Sequence, residues 1–176
     1  MNRRLAIQKI VILSAGSALL PACMQSDATT KLALKKLQVS LAQQDLLAAL
    51  TQMIIPSSTT PGAKEMRSHE FVLKMMDDCA SPEDQQKFMS GLNQFEELAH
   101  KKYGEKFSAV DKPGQKELLQ YLEDKKNSSE NAAKFYRNVK GLTLQNYTTS
   151  EYYMTNVMKY NIIPKTYKGC VAVNIL

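Results

Sequence analysis

Few residues in this chain combine the types and the spacing that catalysis requires. The two histidines, His69 and His100, stand alone in the sequence, which favours a surface or helix-capping role for each over metal or proton-transfer chemistry. Asp77 and Asp78 could act together as a general acid and base. Neighbouring positions on a helix point in different directions, so this pair makes a poor dyad. We expect one of the two carboxylates to be solvated and the other to cap a loop.

The usual motifs of enzymes and cofactor sites do not occur in this sequence. It contains no His-Glu-x-x-His, no Gly-x-Ser-x-Gly, no glycine-rich phosphate loop and no Cys-x-x-Cys-His. With three cysteines and two histidines, a tetrahedral site made of these residues alone would use nearly all of them. We therefore expect no catalytic residue, no cofactor-binding residue and no metal ligand in this chain.

Composition indicates one ordinary globular domain. The chain has 176 residues, of which 44% are hydrophobic and 23% are charged. The formal net charge is +6, but three of the basic residues precede the first acidic residue and belong to a predicted leader. The remainder has 20 basic against 17 acidic residues, or +3. Because nucleic-acid binding needs a clustered basic face, this small excess argues against a nucleic-acid partner.

Residues 1–22 have the layout of a secretory signal. A basic head with Arg3, Arg4 and Lys9 precedes an apolar run over residues 10–20, and small residues follow. That run of 11 residues is shorter than the roughly 20 that a membrane-spanning helix needs. The paired Arg3 and Arg4 predict the twin-arginine route, which carries folded cargo, and ordinary secretion is the alternative.

The end of this leader resembles a bacterial lipobox. Residues 20–23 read Leu-Pro-Ala-Cys, which predicts that Cys23 becomes the lipidated first residue of the mature protein. The alternative is a non-lipidated signal in which Cys23 is incidental. Residues 23–37 are small and polar and are predicted to be a flexible tether. The expected location is the periplasmic side of a bacterial membrane, with the chain anchored through Cys23.

The other two cysteines, Cys79 and Cys170, could form a disulfide. An oxidising compartment favours joining them, and the loop of about 90 residues would add up to about 4–5 kcal/mol of stability in the chain-entropy model. Two buried free thiols are the alternative.

Helix-start signals recur along residues 38–176. Each is followed by an apolar stripe at a spacing of three and four residues, and all but the second carry a capping side chain. The predicted starts are the capping box Ser40–Gln43, the segment before Phe71, Ser81-Pro82, Asp111-Lys112-Pro113, Ser128 or Ser129, and the capping box Thr148–Glu151.

Helix-end signals complete the predicted fold. Pro56 ends the first helix, Gly104 ends the third, and Gly141 interrupts or ends the fifth. Residues 161–176 are predicted to be an extended tail, in which 171–173 form the only strand-like run. The sequence therefore predicts a single small all-α domain of about six helices over residues 38–176.

Four blocks of this sequence resemble a known family, the gluconate 2-dehydrogenase subunit 3 proteins, in the same order and spacing. These are the small subunits of membrane-associated, flavin-dependent sugar and sugar-acid dehydrogenases. The blocks are Ile54-Ile55-Pro56 with Thr60-Pro61-Gly62-Ala63; Phe71-Val72 through Met76-Asp77-Asp78-Cys79 to Ser81–Phe88 and Gly91-Leu92; Leu142-Thr143-Leu144 with Tyr147–Glu151; and Tyr160 through Pro164 to Tyr167-Lys168-Gly169-Cys170.

The resemblance implies a non-catalytic partner of an enzyme. In such complexes a large glucose–methanol–choline type subunit binds FAD and oxidises the sugar, and a cytochrome c subunit often accepts the electrons. The small subunit commonly carries the export signal and assists folding and export of the large one. The resemblance also places Cys79 and Cys170 on family cysteine positions. In two places the sequence departs from the family pattern: residues 64–69 replace a glycine-containing turn, and Asn146 stands where glycine is typical.

Two hypotheses follow for what this chain binds. In the first, the large FAD-dependent subunit binds a loop and a tyrosine-rich C-terminal third, because tyrosine is enriched at interfaces. In the second, the chain is a free-standing helical lipoprotein that binds a small apolar ligand between its helices. The residues proposed for the first hypothesis are Pro61, Gly62, Ala63, Tyr147, Tyr152, Tyr153 and Tyr167.

Overall fold

The computed structural model describes residues 32–124, 130–161, 163 and 169–170. The chain divides into two units, residues 1–33 and 34–176, and every described helix belongs to the second. The predicted signal and most of the predicted tether lie outside the described residues, as do Tyr167 and the strand-like run 171–173.

Across the described residues the fold is all-helical, without a strand, which confirms the predicted class. None of these helices is both long and apolar enough to cross a bilayer. The elements are α1 (Leu41–Ile54), α2 (Ser68–Asp78), α3 (Pro82–Tyr103), α4 (Lys112–Glu123), α5 (Asn131–Thr148) and a π-helical turn (Tyr153–Val157).

Three helices begin where the sequence predicts, each at a side chain that satisfies a free backbone N–H. The capping box forms at Ser40, whose hydroxyl accepts from the Gln43 N–H while the Gln43 side chain accepts from the Ser40 N–H. Ser81 and Asp111 cap α3 and α4 in the same way. At its other end α3 stops at Gly104, in the left-handed conformation with φ 76°.

The predictions for the last third of the chain need three corrections. The residue that precedes α5 is Glu130, without a side-chain cap, and not Ser128 or Ser129, which lie outside the described residues. Gly141 does not end α5, which continues to Thr148 because its other face is packed in the core. Thr148 does not cap a sixth α-helix. Instead Ser150 accepts from the Tyr153 N–H at 3.2 Å, and a π-helical turn follows.

Helix α5 lies at the centre of the fold and contacts each of the other four α-helices and the π-helical turn. Its Phe135 ring packs against Phe88 and Phe95 of α3, with centroid distances of 5.0 and 5.7 Å, and Phe95 also packs on Phe107. These buried aromatic rings join α3, α5 and the α3–α4 connection into one core. Much of the aliphatic part of the core comes from α1, α2 and α4, chiefly Leu46, Leu47, Leu50, Val72, Leu73, Leu118 and Leu122.

The contact between α3 and α5 requires a glycine. A Cβ atom placed on Gly91 would lie 2.7 Å from the Phe135 Cβ and 2.8 Å from the Asn131 carbonyl oxygen. Both distances are shorter than a normal non-bonded contact. Gly91 therefore lets the two helix backbones approach more closely than any side chain would permit.

Candidate functional site

The two adjacent aspartates have the separate roles that the sequence predicts. Asp77, 2% exposed, accepts hydrogen bonds from the backbone N–H groups of residues 35–37. These bonds hold the pKa of its carboxyl below the usual range, the Lys35 N–H contributing most. Asp78 is exposed and its carboxylate lies 3.3 Å from the Lys35 Nζ. One aspartate caps a loop and the other is solvated, so they form no acid–base dyad.

The two histidines lie apart, on different helices. His100 is exposed in the last turn of α3, near the helix C-terminus as predicted. His69 is half-buried in the first turn of α2, with its Nε2 3.9 Å from a Glu70 carboxylate oxygen. Burial lowers the pKa of His69, which keeps its imidazole neutral near pH 7. Among the described residues, no three His, Cys, Asp or Glu side chains are grouped closely enough to hold a metal ion.

The Pro61-Gly62-Ala63 loop, predicted to contact a partner, is largely internal. Gly62 and Ala63 are buried, and only Pro61 is half-exposed. The Ala63 N–H donates to the Ile55 carbonyl at 2.9 Å, and the Ala63 carbonyl accepts from the Ser68 N–H at 2.9 Å. This loop therefore connects the end of α1 to the start of α2 through its own backbone, and Gly62 and Ala63 expose no side chain that could bind a partner.

Asn146 explains one departure from the family pattern. Its side-chain amide donates to the Met66 carbonyl at 3.2 Å and to the Ser68 hydroxyl at 2.9 Å. A glycine at this position could make neither bond. Asn146 of α5 is thus in contact with the turn of residues 64–69. The two places where the sequence departs from the family pattern therefore stabilise one another.

The three described tyrosines of the predicted interface are half-buried. The Tyr147 and Tyr153 rings pack edge to face with centroids 5.8 Å apart, and this pair joins the end of α5 to the π-helical turn. Tyr152 is also half-buried. The Tyr147 and Tyr153 rings thus have a structural role at the base of the last turn, and only part of each of the three rings is available to a partner.

A cluster of exposed apolar side chains lies just beyond these tyrosines. Val157, Met158, Tyr160 and Ile163 are 50%, 60%, 57% and 80% exposed, and together they are named the C-terminal apolar segment. Lys159, between them, has a left-handed backbone with φ 51°, which is uncommon for a residue with a side chain. The Tyr160 N–H donates to the Met154 carbonyl at 2.8 Å, so the turn closes around Lys159.

The sixth helix predicted from the capping box Thr148–Glu151 runs through Val157 and Met158, and the prediction did not single out their exposure. The structure shows the reason for the error. A helix stripe indicates burial only when another element covers it, and of the described helices α5 is the one with a substantial contact to the π-helical turn. The excess of apolar residues after the last tyrosine pair was the available signal.

A groove of about 320 Å³ lies between the end of α1, α4 and α5. One wall carries Glu123, which accepts a hydrogen bond from the Tyr136 hydroxyl at 2.7 Å and pairs with Lys140. These bonds lower the pKa of Glu123, and burial raises the pKa of Tyr136. The groove is open at the surface and lined by charged groups, unlike the apolar cavity between helices that the ligand-binding hypothesis requires.

The predicted disulfide is not formed in the structure. Cys79 directly follows the last residue of α2, and both Cys79 and Cys170 are free and exposed. The alternative predicted from the sequence was two buried free thiols, whereas both thiols are exposed in the structure. Their pairing therefore stays a prediction.

The comparisons with known proteins agree with the residue blocks described above. No curated protein and no solved structure matches the chain. A family model described as gluconate 2-dehydrogenase subunit 3 matches residues 42–164, from the first turn of α1 to just beyond the C-terminal apolar segment. This match covers well over half of the sequence and confirms the resemblance. The chain belongs to the gluconate 2-dehydrogenase subunit 3 family.

Proposed function

We propose that this chain is the non-catalytic small subunit of a periplasmic, FAD-dependent sugar or sugar-acid dehydrogenase. In this role it assists folding, export and membrane attachment of a large catalytic subunit of the glucose–methanol–choline type. FAD belongs to that large subunit, and a cytochrome c subunit completes electron transfer. Family membership supports the subunit role, and the leader with Arg3, Arg4 and Cys23 supports export and anchoring.

The observation that carries the proposal is the C-terminal apolar segment. Four large apolar side chains within seven residues are each at least half exposed, and the family match continues through all of them. Exposed apolar side chains of this kind act as anchors when a partner covers them. An obligate subunit interface buries about 2,000 Å² or more, so the segment would supply its centre and not its whole area.

Isolation of the chain from its native membranes in mild detergent tests the proposal. A large flavoprotein in equal amount, detected by its flavin absorbance, is the expected result. A colourless preparation without a stoichiometric partner would contradict the subunit role.

Two substitutions locate the interface. Met158→Asp places a charge in the C-terminal apolar segment, whereas Gln86→Asp places the same charge on an exposed position of α3. The first should release the flavoprotein while the chain stays helical by circular dichroism, and the second should leave it bound. Equal retention by both variants would show that the interface lies elsewhere. Substitution of Tyr153 is less informative, because its ring packs on Tyr147.

A further inference from the structure

The buried carboxylate of Asp77 binds a segment that lies 40 residues earlier in the chain. One oxygen accepts from the Leu37 N–H at 2.7 Å and the Lys36 N–H at 2.8 Å, and the other accepts from the Lys35 N–H at 2.7 Å. Three consecutive backbone donors are thus satisfied by one side chain. Such bonds to an ionised acceptor are stronger than neutral ones, so the contact is more than a chance approach of two surfaces.

The position of Asp77 depends on the turn between α2 and α3. The Gln85 side-chain amide, itself buried, lies 3.0 Å from the carbonyl oxygens of Met76 and Asp77 and 3.3 Å from that of Ala80. It therefore caps the free carbonyls at the end of α2 from the first turns of α3. This cap joins the last turn of α2, which carries Asp77, to the first turns of α3.

The adjacent Asp78 is a natural control for Asp77. Asp78 also contacts residues 35–37, but only through the Lys35 ammonium group. The Asp78 and Lys35 side chains are both more than half exposed. An exposed ion pair of this type contributes little to stability. The two neighbouring carboxylates therefore differ in burial and in what they bind, while they share charge, residue type and helix.

We propose that Asp77 is a latch that fixes the point at which the N-terminal segment joins the folded domain. With the latch closed, residues 35–37 are held on the last turn of α2, next to the α2–α3 turn. With the latch open, the segment is held by the buried Leu37 side chain and by the cap at Ser40, at the start of α1. A pull on the N-terminus is then resisted by the last turn of α2 in the first state and by Leu37 and the first turn of α1 in the second. The latch does not depend on the proposed partner, but its use in anchoring rests on the proposed function.

Hydrogen exchange of the purified full chain tests the latch directly. The amide protons of Lys35, Lys36 and Leu37 should exchange on the order of tenfold or more slowly than those of an unstructured peptide, because opening must first break their bonds to an ionised acceptor. Asp77→Asn, which keeps the size but removes the charge, should abolish this protection. Asp78→Asn should retain it. Unprotected amides in the unsubstituted chain would overturn the proposal, even if Asp77→Asn failed to fold.

Limited digestion with trypsin gives an independent readout, because the enzyme cleaves after Lys35 and Lys36. Cleavage requires several residues to leave the folded surface. Asp77→Asn should be cut at these two sites on the order of tenfold faster than Asp78→Asn, with both variants equally helical. Equal rates of cleavage in the two variants would overturn the latch. Neither measurement uses a partner or a lipid, so failure of the latch and failure of the proposed function are distinguishable.

Discussion

A pair of glycine substitutions measures how closely α3 and α5 approach. Gly91 and Gly141 both lie inside helices, and alanine can replace each without a change of backbone region. At Gly91 the added Cβ would lie 2.7 Å from the Phe135 Cβ and 2.8 Å from the Asn131 carbonyl oxygen. At Gly141 the added Cβ would have nothing within 4 Å. The two variants therefore share their helix propensity and differ in the space available.

The magnitude follows from these distances. Alanine gains about 1 kcal/mol over glycine at an interior helix position, so both variants gain this amount. Gly91→Ala must also move α3 away from α5 by about 1 Å to restore a normal carbon–carbon separation. The Asn131 oxygen belongs to the backbone and cannot rotate away, so overpacking should cost about 1–3 kcal/mol. Gly141→Ala should be stabilising, and Gly91→Ala should range from nearly neutral to about 2 kcal/mol destabilising.

Thermal unfolding followed by circular dichroism compares the two variants. The free energies of unfolding should differ by about 1–3 kcal/mol, and the Tm of Gly141→Ala should lie about 2–12 °C above that of Gly91→Ala. Because the propensity term is common to both, the difference measures the close approach alone. Equal increases in Tm for both variants would refute the inference that Gly91 is required by the contact between α3 and α5.

Two further changes test the polar contacts. Tyr136→Phe removes the buried hydroxyl that donates to Glu123 at 2.7 Å. It should lower the free energy of unfolding, measured by urea denaturation, by about 1–2 kcal/mol. The same change at the exposed Tyr160 should have no effect, and an equal loss of stability there would contradict this account. The Asp77 carboxyl has its pKa lowered in the folded state, so its stabilisation is complete above the unfolded pKa of about 4 and is lost as the pH falls through the folded pKa. The Tm of the unsubstituted chain should therefore fall more steeply below pH 4 than that of Asp77→Asn, and parallel curves would be inconsistent with this reasoning.

Local signals predicted the starts of α1, α3 and α4, because a capping side chain and an apolar stripe act over a few neighbouring residues. They failed at Gly141, where an intrinsic cost of about 1 kcal/mol is outweighed by the packing of the opposite face of α5. They also failed at Thr148, where hydroxyl groups compatible with a cap occur at three consecutive positions and the third, Ser150, forms the bond.

The candidate site was harder to predict, because it depends on contacts between distant residues. The sequence correctly predicted that one of Asp77 and Asp78 caps a loop and that the other is solvated. The partner of Asp77, however, lies 40 residues away and offers only backbone N–H groups, which every residue carries. No sequence pattern marks such a donor. The exposure of Met158 likewise depends on which element covers the last turn, and periodicity alone does not contain that information.

The central position of α5 has a consequence for the order in which the chain can fold. This helix begins at Asn131, after about three quarters of the sequence has been synthesised, yet it contacts all four earlier α-helices. The apolar faces of those helices therefore remain partly uncovered on the ribosome until α5 emerges. Contacts that join distant parts of a chain form late and leave intermediates prone to association. Completion of this domain therefore requires the synthesis of α5, and any factor that shields its early helices must act before Phe135 becomes available.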